Sequence, residues 1–200
     1  MSHSSNFLAL TLFHSLICDI CFVNIILIGY MGCGKTTIGQ RLAALLGRDF
    51  YDLDQVIESH YGASISTIFK EKGTVYFRKL EAKVLGDLLE HQTDVVVATG
   101  GGTPVYGDNM SLINDAKKNR CVYLKVDNEV LIQRLWKQRQ HRPLIASISA
   151  INDLEEFVRK HLFERTFTYE MAQLKIDVTD LDADRAAQAI KQACIRPKSL

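Results

Sequence analysis

Gly29-Tyr30-Met31-Gly32-Cys33-Gly34-Lys35-Thr36 fits the pattern G-x-x-x-x-G-K-[ST] and stands between an apolar run and an amphipathic one. Val23 to Ile28, rich in Ile and Val with a single Asn, reads as a strand covered on both faces. From Thr36 onward the apolar residues fall at Ile38, Leu42, Leu45 and Leu46, the spacing of a buried helical stripe, and Gly47 supplies a stop. Strand, glycine-rich turn and helix in this order make an anion cradle. The glycines let backbone N–H groups approach a phosphate, and the helix N-terminus adds its positive end. Gly32, Cys33, Gly34, Lys35, Thr36 and Thr37 are therefore the expected nucleotide-binding segment, with Lys35 reaching the outer phosphates and the Thr36 hydroxyl holding Mg²⁺. A glycine-rich turn without a ligand is the plainer reading. The four signature positions, in this context, weigh against it.

The rest of the composition narrows the setting. At 200 residues with 47% hydrophobic content the chain buries one substantial core and reads as one domain. Lys plus Arg (24) nearly balance Asp plus Glu (23), which gives no overall field to recruit nucleic acid or an anionic membrane. Five cysteines, odd in number and without paired metal-ligand spacing, suggest a reducing cytoplasm rather than a disulfide framework. Cys18-Asp19-Ile20-Cys21 spells C-x-x-C without a second pair to complete a zinc set. Cys33 reads as a passive loop residue, with a lowered thiol pKa as the alternative.

Residues 1–22 stand apart. Phe7 to Phe22 is apolar but interrupted by Thr11, His14, Ser15 and Asp19, a poor match to a span of about 20 apolar residues. No Lys or Arg precedes Lys35, so a secretory n-region and an organelle transit peptide are both missing their charges. We expect a dispensable extension from an upstream start site, with translation beginning near Val23.

Beyond the first helix, Asp94 to Ala98, Cys121 to Val126 and Leu174 to Val178 are further apolar runs. The stretches Val75 to His91, Met110 to Asn119, Glu129 to Gln140, Asp153 to Gln173 and Ala183 to Ile195 read helical, which gives βα alternation around a parallel sheet. Two segments do not suit the sheet. Residues 54–80 read as a helical insertion with Ser64 as N-cap and Gly73 as a break, and residues 138–152 as a mobile lid of the kind that excludes water from phosphoryl transfer.

Phosphoryl transfer is positioning plus charge neutralisation, so it calls for a metal-holding carboxylate, a base and extra cations. Asp52 and Asp54 follow the short run Phe50-Tyr51. If the extended backbone continues to Asp54, both carboxylates face one side of the strand. Asp52 is assigned to Mg²⁺ through water, and Asp54 to an acceptor hydroxyl; a solvated turn or helix cap is the alternative for the pair. Gly100-Gly101-Gly102 ends another apolar run, where strand ends line the ligand crevice of an open α/β sheet.

Taken in order, the phosphate loop, Asp52-x-Asp54, Phe77-Arg78-x-x-Glu81, Gly100 to Gly102, Arg142-Pro143-Leu144 and Arg165-x-x-x-Tyr169 resemble shikimate kinase over about residues 23–195. The resemblance implies a three-layer α/β/α P-loop kinase fold with a central parallel sheet of about five strands, a helical substrate-binding insertion and a mobile lid. It implies ATP-dependent phosphorylation of the shikimate 3-hydroxyl by a cytoplasmic monomer. By the same analogy Arg78 and Arg165 hold the carboxylate and Glu81 positions Arg78. Asp54 and the backbone of Gly101 and Gly102 address the hydroxyls, while Phe69, Phe77, Pro143 and Leu144 wall the pocket. Lys35 and Arg142 stabilise the transferring phosphoryl group, and Arg134, in the basic stretch before the lid, is the expected adenine contact.

Individually these residues have plainer readings. Arg78 and Glu81 fit an ordinary surface pair contributing ~0.3 kcal/mol, and His161 and Trp136 read as structural. A gluconate kinase is the neighbouring enzyme reading, though it leaves Arg78 and Arg165 without a purpose. A non-catalytic relative that only binds is the reading from another class.

Overall fold

The structure, a computed structural model, describes residues 23–195. The reading of residues 1–22 as an extension, and with it Cys18 and Cys21, lies outside those residues. Five strands form a single sheet: β1 (Asn24–Ile28), β2 (Phe50–Asp52), β3 (Val96–Ala98), β4 (Asn119–Lys125) and β5 (Leu174–Asp177). Their order is β2-β3-β1-β4-β5, and every neighbouring pair is parallel. Parallel strands need crossovers, and the helices that supply them cover the sheet faces, so all five residues of β1 are buried. The one polar residue of that run is satisfied. Asn24 Nδ2 donates to the Gln92 carbonyl at 3.1 Å and to Asn119 Oδ1 at 3.2 Å, and its Oδ1 accepts from Val95 N–H at 3.2 Å.

Seven α-helices accompany the sheet among the described residues: α1 (Lys35–Leu46), α2 (Leu53–Tyr61), α3 (Ile65–His91), α4 (Asn109–Ile113), α5 (Asn128–Gln138), α6 (Ile151–Glu170) and α7 (Ala183–Ile195). Of the stripe read from Ile38, Leu42, Leu45 and Leu46, the first two are buried on α1, Leu46 is half-buried and Leu45 is exposed at the solvent edge of the helix. Gly47 closes it at φ 66° with its N–H directed at the Ala43 and Ala44 carbonyls. Ser64 caps α3 by accepting from Thr67 N–H at 3.2 Å, and Gly73 interrupts it at φ 78°, ψ 173°, a conformation that favours glycine.

Two expectations are corrected. The extended backbone does not continue to Asp54: the chain turns into α2 at Leu53, because the Asp52 carboxylate caps that helix and accepts Asp54 N–H at 3.1 Å. The helix expected over Met110 to Asn119 stops at Ile113. There Asp115 Oδ1 accepts Lys117 N–H at 3.1 Å in a side-chain turn, and Asn119 already belongs to β4.

Register brings three strand ends together. Leu27 of β1 pairs with Ala98 of β3, and Asp52 of β2 pairs with the same Ala98. The phosphate loop, the Asp52 turn and the glycine triplet therefore leave the sheet side by side at its carboxyl edge, where open α/β sheets hold their ligands.

Candidate active site

A cavity of about 300 Å³ opens at that edge. Gly32, Gly34, Lys35, Thr36 and Thr37 form one side, Asp52 and Asp54 another, and Thr99, Gly100, Gly101, Gln138 and Arg142 close it. Gly34, at φ 98°, is the N-cap of α1 and supplies no side chain, so the first amides of the helix are left for a ligand. Lys35 is only 8% exposed and folds back onto its own loop. Its Nζ donates to the carbonyls of Gly29 at 2.8 Å and Tyr30 at 3.0 Å. Thr36 Oγ1 donates to Asp52 Oδ2 at 2.7 Å, and Arg142 Nη2 donates to Gln138 Oε1 at 2.9 Å.

Asp54 has the most perturbed carboxyl here. Burial, reinforced by the negative charges of Asp52 and Glu81, pushes its pKa up to about 6, against the pull of Lys35. A Cβ on Gly100 would lie 3.1 Å from Asp54 Oδ1, which places the carboxylate against the glycine triplet.

A second cavity, about 470 Å³, adjoins the first through Met31 and Gly101, which line both. Arg78 from α3 and Arg165 from α6 face it together, over apolar walls from Phe69, Pro143 and Leu144. Arg78 Nη1 meets Glu81 Oε2 at 2.6 Å, and the other Glu81 oxygen accepts Thr103 Oγ1 at 2.7 Å. Glu81 is 1% exposed, so this is no surface pair. The Arg78 guanidinium also lies 4.1 Å over the Tyr106 ring. Arg165 Nη1 donates to the His161 carbonyl one turn back at 2.8 Å. A Cβ on Gly102 would stand 2.7 Å from Arg78 Nη2, so a side chain there must displace the guanidinium. Tyr169 donates its hydroxyl to the Gly101 carbonyl and fixes the triplet from α6.

Lys35, Thr36, Asp52, Asp54, Arg142, Arg78, Gly101, Gly102 and Arg165 are thus gathered around two contiguous cavities. Others lie elsewhere. Arg134 lines neither cavity, and Cys33 is buried under the loop with its Sγ 3.7 Å from Lys35 Nζ. Phe77 stands behind Phe69, ring centroids 4.3 Å apart, rather than on the cavity surface. Met31, for which the sequence suggests no role, is a shared wall. The reading missed Tyr106, Thr103, Thr99 and Gln138, which carry no pattern of their own; Tyr169 sits in the quoted Arg165-x-x-x-Tyr169 spacing, which gave it no partner. His161, read as structural, lines the second cavity with its Nδ1 2.9 Å from the Tyr30 hydroxyl.

Comparison with known proteins gives a consistent result. Residues 31–195 match the Shikimate kinase family. A shikimate kinase from Flavobacterium johnsoniae is 41% identical over 166 residues, which span 83% of this chain and 95% of that relative. The crystal structure of shikimate kinase from Bacteroides thetaiotaomicron superposes with a TM-score of 0.80 at 34% identity, covering 86% of this chain and 98% of the other. Shikimate kinase from Acinetobacter baumannii, solved in complex with shikimate, gives 0.79 at 36% identity over 89% and 96% of the two chains.

Proposed function

The chain belongs to the shikimate kinase family, and on that premise we propose that its two cavities are the nucleotide and acceptor halves of one phosphoryl-transfer site. The reaction is ATP-dependent phosphorylation of the shikimate 3-hydroxyl, giving shikimate 3-phosphate and ADP. The observation that carries the assignment is the convergence of Arg78 and Arg165, from two different helices, on a cavity that shares Gly101 and Met31 with the phosphate cradle. Paired guanidinium forks suit a carboxylate, and a ring bearing hydroxyls suits the apolar floor with polar edges. Gluconate offers a carboxylate too, but no ring face for Phe69, Pro143 and Leu144 to cover.

In the reaction the α1 amides and Lys35 take the phosphates, which requires Lys35 to leave the Gly29 and Tyr30 carbonyls. Asp54, beside the glycine triplet between the cavities, receives the proton of the acceptor hydroxyl or orients it for in-line attack. Arg142, at the mouth of the lid, meets the negative charge that builds on the transferring group. Because residues 138–152 carry both Arg142 and the wall residues Pro143 and Leu144, their closure would complete both cavities at once.

Thr36 and Asp52 offer an all-oxygen donor pair at the wall of the phosphate cavity, and no set of three His, Cys, Asp or Glu among the described residues competes for a softer metal. They fit Mg²⁺, which binds through one or two protein oxygens together with water and phosphate. When bound it would neutralise phosphate charge. We read the monomer as the working unit, as the resemblance to shikimate kinase implies. The reading is tested by ³¹P NMR of the product: a phosphate ester on the 3-hydroxyl of shikimate supports it, and esterification at another hydroxyl removes Asp54 from its assigned place.

A further inference from the structure

Tyr30 is the second residue of the phosphate loop, yet its side chain is 2% exposed and turns away from the phosphate cavity. Its hydroxyl lies 2.9 Å from Nδ1 of His161, the two rings meet edge to face at 5.7 Å, and both residues line the acceptor cavity beside Arg165. A buried hydroxyl needs an acceptor for its proton, and His161 Nδ1 is the partner that the described hydrogen bonds give it. Nδ1 can accept only if it carries no proton, which places the ring proton on Nε2. The groups around the imidazole reinforce this. Phe157 packs on the ring from the same helix with centroids 4.9 Å apart. Burial and the Arg165 cation, partly offset by Glu164, hold His161 down to about pKa 4, so it is uncharged at neutral pH. Tyr30 stays protonated for the same reason, its pKa raised by burial.

We propose that Tyr30 fixes His161 as the Nε2–H tautomer and that this N–H is a further hydrogen-bond donor for the acceptor substrate's anionic end, next to Arg165. The pair is a specificity device. An uncharged donor beside a cation rewards a carboxylate in one orientation, whereas the guanidiniums alone would hold an anion in several. It also ties the acceptor cavity to the nucleotide loop, because Tyr30 is covalently part of the segment whose carbonyls hold Lys35. The inference rests on the acceptor cavity being the shikimate site.

Two measurements test it. Long-range ¹H–¹⁵N spectra of the ¹⁵N-histidine-labelled chain, with His161 assigned from the loss of its signals in His161→Gln, should show Nε2 protonated and Nδ1 bare near pH 7, and Tyr30→Phe should mix the two tautomers. In steady-state kinetics His161→Leu should raise the shikimate KM roughly tenfold or more, the size of one hydrogen bond to a charged group, while leaving the ATP KM and kcat within about twofold. His161→Gln, which keeps an N–H at similar reach, should recover part of that loss. A bare Nε2 with the proton on Nδ1, an unchanged shikimate KM in His161→Leu, or an equal rise in both KM values would overturn the proposal. A wild-type chain that forms no ADP with shikimate overturns the functional reading as well, which separates the two failures.

Discussion

Arg78 Nη1 lies 2.6 Å from Glu81 Oε2 in a pair whose carboxylate is almost wholly buried, one helical turn apart on α3. The pairing decides where the guanidinium points. Glu81 is locked from its other side by Thr103, a residue of the turn after the glycine triplet, so the position of Arg78 is set jointly by α3 and by that turn. Replacing Glu81 by Ala leaves Arg78 without its partner and Thr103 without its acceptor. We expect a loss of about 3 kcal/mol in denaturant unfolding, the scale for breaking a buried pair, together with a raised shikimate KM. Glu81→Gln should recover much of the stability and less of the KM.

Gly102→Ala separates space from charge. The added Cβ meets Arg78 Nη2 at 2.7 Å, and that atom is the far end of a side chain that can move. The fold should therefore survive with a stability change within about 1 kcal/mol. The shikimate KM should rise as Arg78 is displaced, with ATP affinity intact. Loss of both affinities would show the triplet shaping the phosphate cavity instead.

Arg165→Ala removes a cation that is 8% exposed at the acceptor cavity. Losing a charged hydrogen bond of about 1.5 to 3 kcal/mol corresponds to roughly 10- to 150-fold weaker shikimate binding, measured by calorimetry, with nucleotide binding preserved.

Asp54 links function to pH. Its carboxyl is raised from 3.8 to about 6 in the folded chain, so between those values the folded state holds the proton more tightly than the unfolded one. Stability contributed by the protonated group is therefore full below about pH 4 and lost as pH rises through 6. On the proposed role of Asp54 as the base, activity runs the other way: kcat/KM should fall on the acid side with an apparent pKa near 6. Asp54→Asn should raise the melting temperature at pH 8, keep nucleotide binding and lose roughly 100-fold or more in kcat. An unchanged melting temperature would contradict the assigned burial, and near-normal turnover would remove Asp54 from the mechanism.

Much of this was legible in the sequence, for identifiable reasons. The phosphate loop, its strand and its helix are written in local periodicity, and β1 and α1 occupy Asn24–Ile28 and Lys35–Leu46 close to where Val23 to Ile28 and the Ile38, Leu42 stripe place them. Arg78, Gly101, Gly102 and Arg165 come from the resemblance to shikimate kinase that the ordered motifs carry; taken alone, Arg78 and Glu81 read as an ordinary surface pair. The Asp54 backbone was not legible, because two aspartates after a short strand serve equally as strand residues or as a cap, and the cap interaction at Asp52 wins. His161 and Tyr30 are 131 residues apart, and nothing local in either segment announces that they meet. Arg134 shows the converse: basic character near the lid is readable, but whether a given cation of α5 lines a cavity depends on how that helix is rotated, and Arg134 lines neither of the two described.

On the proposed function, one site joins a nucleotide cradle to a shikimate pocket. That reading is tested most directly by coupled ADP release from the full chain with ATP and Mg²⁺, in the presence of shikimate or of gluconate. Shikimate-dependent ADP formation that saturates, with gluconate giving only the background rate, is the predicted result. Turnover with gluconate but not shikimate, or binding of ATP and shikimate without any ADP formed, would contradict it.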